Sequence, residues 1–275
     1  MRKVNIITER LRKKILELLY KDEMYNSILI ELIQSSNSEL GDLYISENEK
    51  EITAILHVKN DGNSDLTNFA YTSKLGLNDI GCKIKEIKYN KILLAGKLKD
   101  VQALFEILEF KNTISPDIFY RLNIKKYQDI NMKFNCKIRL ATSNEEDIDK
   151  VKSFTTLFLE AKTEEEIESI SNNEKILEKI NNGIYLLDFK NNSVGMSRFI
   201  GRTNNFLEIT SVYIQDPYRH KGFGRELVAQ MIEIAIKEDK IPMLATSHDN
   251  ISAMKLYEKM GFEKQEEYAY EFLIQ

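Results

Sequence analysis

Apolar residues recur at three- and four-residue spacing early in the chain: Ile15, Leu18 and Leu19, then Ile28, Leu29, Leu32 and Ile33. That period lines one face of a helix, so two amphipathic helices are predicted. Period two takes over in short runs at 43–46, 51–58 and 67–73, divided by polar turns such as 60–64. These read as a meander of antiparallel strands. A helix over 79–87, a strand at 92–95 and a helix at 99–108 close the first half.

The second half is more regular. Residues 137–141 alternate as a strand, and Thr142, Ser143 and Asn144 supply capping side chains for a helix reaching residue 158. Thr163 precedes Glu164, Glu165 and Glu166, acids that suit the first turn of a second helix to residue 181. The same Glu run could be read as an acidic binding patch; a solvated helix face is the simpler account. Strands follow at 184–189, 194–200 and 207–214, then a helix at 224–237, a strand at 242–246, a helix at 250–260 and a strand at 268–274. The order β-α-α-β-β-β-α-β-α-β predicts an α/β class fold, a mixed α+β sheet flanked by helices. A second α+β domain precedes it, with the seam near 131–135 giving domains 1–135 and 136–275.

Charge sharpens that division. Residues 1–135 carry 21 basic and 19 acidic side chains, residues 136–275 carry 18 and 24, and the whole chain is at −4. This is not the basic excess of a nucleic-acid-binding protein. Hydrophobic residues at 43% and charged residues at 30% are enough for a packed core. Cys82 and Cys136 lie far apart and, with only His57, His220 and His248 to help, form no zinc set. The basic N-terminus is interrupted by Glu9, Arg10 and Arg12 before a signal-peptide core could form, and no run approaches a membrane span. The expectation is a soluble, cytoplasmic protein without a metal and without nucleic-acid or membrane partners.

Chemistry concentrates after residue 211. A strand ends at Ile214, a turn containing Pro217 follows, and Arg219, His220, Lys221, Gly222, Phe223 and Gly224 lead into a helix. Gly222 and Gly224 remove Cβ atoms where the backbone turns, so that successive N–H groups can point into one concavity. The free N–H groups and positive end of the helix face the same spot, and Arg219, Lys221 and Arg225 add charge. Leu227 rules out the GxGxxG dinucleotide fingerprint, and no Walker A loop exists. A plain strand–turn–helix junction remains the bland alternative. About thirty residues on, Asn250 can cap a helix and Gly261 can end it, while Ala253, Leu256 and Met260 share an apolar side. Tyr257 lies two turns after Asn250; it is either a core residue or a phenol able to protonate a leaving thiolate.

Arg219-x-x-Gly222-x-Gly224 at a strand-to-helix junction, followed by Asn250-x-x-Ala253-x-x-Leu256-Tyr257-x-x-x-Gly261-Phe262, resembles the GNAT superfamily of N-acetyltransferases over residues 137–275. The resemblance implies a GNAT-like acyl-CoA transferase fold, acetyl-CoA as co-substrate, and a V-shaped opening between the strands ending at Ile214 and Thr246. It implies that the backbone of Val212, Tyr213 and Ile214 pairs with the pantetheine arm, its N–H groups also serving the thioester oxygen. The amides of His220, Lys221, Gly222, Phe223, Gly224 and Arg225 would hold the pyrophosphate. Asn250 would bond the pantetheine beside Ala253, and Tyr257 would protonate the departing sulfur. Glu208 stands where many members carry a carboxylate and is the candidate general base; as a strand residue alternating with Thr210 and Val212 it could equally be exposed. Members that acetylate ribosomal N-termini often carry Glu five positions before the motif Asn, where this chain has Ala245. The first half echoes the element order without the motifs and resembles the degenerate amino-terminal half of tandem GNAT proteins. The expected activity is acetyl transfer to a primary amine of a small molecule or peptide; the alternative is a non-catalytic acyl-CoA-binding or interaction module.

Overall fold

The computed structural model describes all residues except 36–39, 61, 63, 129, 131 and 275, so Asp61 and Asn63 of the predicted turn and Asn131 of the predicted seam lie outside the described residues. The first half runs β1 (Arg2–Lys3), α1 (Glu9–Leu19), a 3-10 turn (Tyr20–Asp22), α2 (Ser27–Gln34), β2 (Asp42–Glu47), β3 (Ile52–Asn60), β4 (Asp65–Tyr71), α3 (Lys74–Glu86), β5 (Lys91–Lys97), α4 (Leu98–Leu108), β6 (Asp117–Leu122) and α5 (Ile124–Gln128). The second runs β7 (Lys137–Leu140), α6 (Glu145–Phe158), α7 (Glu164–Ser171), α8 (Asn173–Asn181), β8 (Ile184–Phe189), β9 (Asn192–Ile200), β10 (Phe206–Ile214), a 3-10 turn (Asp216–Tyr218), α9 (Phe223–Lys237), β11 (Ile241–Ser247), α10 (Ile251–Lys259) and β12 (Phe262–Ile274).

The twelve strands among the described residues join one mixed sheet in the order β1-β2-β3-β4-β5-β12-β6-β11-β10-β9-β8-β7. The order maps onto itself when β1 to β6 are exchanged with β7 to β12, so the halves are topological repeats. Each half contributes one parallel pair, β4 with β5 and β10 with β11. Each also gives its last strand to the other: β12 pairs with β5, β6 pairs with β11, and the two exchanged strands pair with each other.

The exchange explains an element that the hydrophobic pattern did not reveal. Ile118, Phe119, Tyr120 and Leu122 of β6 form a nearly continuous apolar run; Tyr120 and Leu122 are buried in the core under α9, and Phe119 on the other face against Tyr25 and Tyr268. The predicted helix from Thr163 to residue 181 is two helices. Asn172 adopts an extended backbone between them and caps α8, its side chain accepting from the Lys175 N–H. The Glu run belongs to helix capping: Glu166 and Thr163 form a reciprocal capping box at the start of α7.

Two layers of side chains fix the second half. On one face α9 buries Leu227, Val228, Met231 and Ile232 against β9, β10 and the exchanged β6. On the other, Val151 and Phe154 of α6 and Ile176 and Ile180 of α8 pack on Met196 and Tyr213. Asp147, 1% exposed, anchors α6: both its oxygens accept from Arg139 at 2.8 Å and one also takes the Thr142 N–H at 2.7 Å. That fork is the geometry in which a buried carboxylate stays ionised.

Candidate functional site

β10 is the hinge of the site. It pairs in parallel with β11 only from Phe206 to Glu208, opposite Ile241 to Met243, and beyond that the two strands part. On its other edge it follows β9 to Ile214, but with one extra residue between Thr210 and Tyr213. Ser211 takes φ 53° there, a left-handed backbone on a non-glycine residue. The bulge turns the strand away from β11 and reverses its alternation. Ile209, Val212 and Ile214 then pack toward α9, while Tyr213 packs toward α6. Val212 therefore does not share the face of Glu208 and Thr210, contrary to simple alternation. The Gln215 N–H donates to Val194 O, so by strand alternation the Val212 and Ile214 amides point into the gap that β11 leaves. Gly195 permits this approach, since a Cβ there would lie 2.6 Å from Tyr213 O and from Ile214 Cδ1.

The loop after β10 carries the anion-binding geometry. His220 and Gly222 both have positive φ, 60° and 90°, and Gly222 caps α9 without a side-chain bond. Among the described residues, the N–H groups of His220, Lys221, Gly222, Phe223, Gly224 and Arg225 donate to no protein acceptor. Six successive free amides at the positive end of a fifteen-residue helix form a concave donor array suited to a pyrophosphate. The helix end adds ~0.3–1 kcal/mol for a bound anion.

The basic residues divide their work. Arg219 braces the loop, its Nε donating to Ile214 O at 2.9 Å and its Nη1 lying 3.1 Å from Asp216. Lys221 Nζ donates to Pro217 O at 2.8 Å. Arg225 is exposed and meets no carboxylate among the described residues. Phe223 is clamped edge-on by Phe189 at 4.9 Å and Tyr218 at 5.5 Å, a support from β8 that the motif alone does not show.

At the far side of the gap, Asn250 caps α10 by accepting the Ala253 N–H at 3.1 Å, and Ala253 packs partly buried on the core beside α9. Tyr257, 6% exposed, sits edge-on to Tyr120 at 6.1 Å and Phe262 at 5.9 Å. Among the described residues its hydroxyl has no hydrogen-bond partner, and burial beside Tyr120 pushes its phenol up to about 12. Tyr120 comes from the exchanged strand β6, so the first half completes this wall.

Glu208 is buried, at 4% exposure, so of its two readings the exposed strand carboxylate is not the one the fold adopts. Burial pushes its carboxyl up to about 8, opposed by the Arg198 guanidinium and reinforced by Glu31 of α2. Glu31 also accepts the Gly201 N–H at 2.7 Å, and Glu23 takes the Asn205 N–H and side chain at 2.8 and 2.7 Å. The loop bordering Glu208 is thus tied to the α1–α2 segment of the first half. Ser211, Arg198, Glu31, Tyr120 and Phe189 adjoin the candidate site and were missed by sequence reasoning; only the conformation of Ser211 and the tertiary positions of the others reveal them.

Residues 151–262 match the model of the acetyltransferase (GNAT) family. They span the bulge, the amide array, Asn250 and Tyr257. No curated protein matches the chain by sequence. Among solved structures, a tandem GNAT protein from the clavulanic acid biosynthesis pathway superposes with a TM-score of 0.66 at 8% identity, covering 99% of this chain and 98% of that one. A GNAT-family acetyltransferase from Colwellia psychrerythraea gives 0.58 at 13% identity, covering 99% and 100%. A Drosophila protein gives 0.68 at 12% identity, covering 98% and 97%. These likenesses establish the fold across both halves. Among the described residues no helix is long and apolar enough to cross a membrane.

Proposed function

We propose that this chain, which carries a GNAT-family acetyltransferase domain at residues 151–262, transfers the acetyl group of acetyl-CoA to a primary amine of a small molecule or peptide. The observation that carries the reading is the run of six free amides at residues 220–225, opening on the gap between β10 and β11. The fit to acetyl-CoA follows from these groups: a donor array for the pyrophosphate, an open strand edge at Val212 and Ile214 for the pantetheine amides, and Asn250 beside Ala253 along the gap. The co-substrate supplies a thioester, an acyl group on a good leaving thiolate.

The chain's own residues would then manage the protons. The attacking amine must be neutral, and Glu208, above its raised pKa, accepts the proton the nitrogen loses, directly or through one water. The amide of Val212 or Ile214 stabilises the charge gathering on the carbonyl oxygen as the C–N bond forms. As the C–S bond breaks, Tyr257 gives its proton to the sulfur. Burial keeps this phenol protonated, and the same apolar surroundings make a bare thiolate costly, so proton transfer relieves both. Loss of the Glu208 proton and reprotonation of Tyr257 from solvent reset the site.

The test is CoA release against a panel of primary amines, with mass spectrometry of the acetylated product. Amine-dependent release well above hydrolysis supports the reading. Tight acetyl-CoA binding with no turnover on any amine would point instead to a non-catalytic acyl-CoA-binding module.

A further inference from the structure

The first half holds a cavity of about 470 Å³ on the α1–α2 side, between the parting ends of β4 and β5. By the repeat relation it stands where the second half has its Glu208 side of the gap. Asn68, on the last parallel pair with Ala95, occupies the position that Glu208 holds opposite Met243. β4 follows β3 without a bulge, and α3 begins at once with Ser73 accepting the Gly76 N–H, where the second half has its donor loop. The cavity therefore combines a small-molecule volume with a carboxamide in place of the base and no amide array.

Its charges are unequally matched. Lys97 lies 2.5 Å from Asp22 and 3.6 Å from Glu266, Lys99 lies 3.2 Å from Glu266, and Lys21 lies 3.0 Å from Glu51. Asp100 meets no cation among the described residues; its Oδ1 accepts the Tyr71 hydroxyl at 2.7 Å. The dipole of α4 favours an acid in its first turn, but that accounts neither for the cavity nor for its walls. Tyr25, Phe69, Tyr71 and Tyr268 are among its lining residues; Lys97 Nζ already lies 4.3 Å from the Tyr25 ring centroid, and the Tyr268 hydroxyl donates to no acceptor among the described residues. An anion entering here meets Asp100 and finds each lysine engaged. A cation meets Asp100, which has no ion-pair partner among the described residues, beside the aromatic residues Tyr71 and Tyr268, the chemistry that holds ammonium groups.

We propose that this cavity is a second, non-catalytic site that binds a small organic cation, an ammonium on an aromatic or alkyl body, through Asp100 and the rings of Tyr71 and Tyr268. The inference is independent of acetyl transfer by the second half. Its test is calorimetric titration of the full chain, without acetyl-CoA, using phenethyltrimethylammonium, which has no N–H and cannot be acetylated. The expected result is one bound cation per chain, with 2-phenylethanol and 3-phenylpropionate at least about tenfold weaker. Asp100→Asn should weaken the cation at least tenfold, whereas Asp147→Asn, which removes a carboxylate outside the cavity lining, should leave it unchanged. Should Asp100→Asn fail to fold, Tyr71→Phe and the ratio of cation to alcohol on the unaltered chain carry the test. No binding of the cation at millimolar concentration, equal binding of the alcohol, or loss of binding in Asp147→Asn would overturn the proposal.

Discussion

Replacing Glu208 by Gln isolates the electrostatic feature on which the proposed base catalysis depends, and it can be read without knowing the acceptor. The carboxyl moves from 4.5 in the unfolded chain to about 8 in the fold, because burial outweighs Arg198. A raised carboxyl favours the folded state fully below about pH 4.5, and that contribution is lost as pH rises to the folded value. Between about pH 5 and pH 8 the loss reaches roughly 3–4 kcal/mol at 1.36 kcal/mol per pKa unit. Water entering the cleft would reduce it, so a change of about 1.5 kcal/mol or more is the working threshold. The assay is urea unfolding of both proteins at several pH values. The substituted carboxamide cannot titrate, so the variant's stability should gain on that of the parent as pH rises, with the curves converging near pH 5. Curves that stay parallel within about 0.5 kcal/mol from pH 5 to pH 8.5 would refute the buried-carboxylate reasoning, whatever the activity data show.

Tyr257→Phe keeps the ring packing on Tyr120 and Phe262 and removes the proposed proton donor; kcat should fall about 10²-fold or more while the KM for acetyl-CoA changes less than about threefold, as steady-state kinetics would show. Ser211→Val places a β-branched residue at φ 53° and should cost about 1–3 kcal/mol by denaturant unfolding, with weaker acetyl-CoA binding because the gap loses its shape. Asp147→Asn addresses stability alone. The Arg139 fork holds Asp147 down at about 2, so its contribution is complete above about pH 4 and is lost as pH falls toward 2. The variant should be destabilised at pH 7 by about 1–2 kcal/mol, allowing for the partly exposed arginine, and the difference should shrink on acidification.

The parts of this molecule written in local pattern were legible in the sequence, and the parts created by long-range pairing were not. The amphipathic helices, the meander strands and the turn at Gly222 depend on neighbours a few residues away. β6 depends on β11 and β12, more than a hundred residues later, and its apolar run has no period because both its faces are covered. The start of β12 hides for the opposite reason: Glu263, Lys264, Gln265, Glu266 and Glu267 are polar and exposed, and a bulge breaks their register. The same division runs through the site. The loop glycines announce an anion cradle, but Ser211 carries a left-handed turn that its side chain does not advertise. Glu208 is a plain strand residue until Arg198, Glu31 and Tyr268 arrive from three other elements, one of them in the other half.

The central claim is that one half of this two-repeat chain holds acetyl-CoA on the amides of residues 220–225, and that the other half, whose β4 pairs with β3 without a bulge and leads directly into α3, does not. Calorimetric titration of the intact chain with acetyl-CoA measures this directly. One molecule should bind per chain, and a Gly222→Pro change, which fixes φ near −65° where the loop needs 90°, should weaken it at least tenfold without unfolding the protein. A folded chain that binds no acetyl-CoA, or one that binds two with the Gly222→Pro chain unaffected, would contradict it.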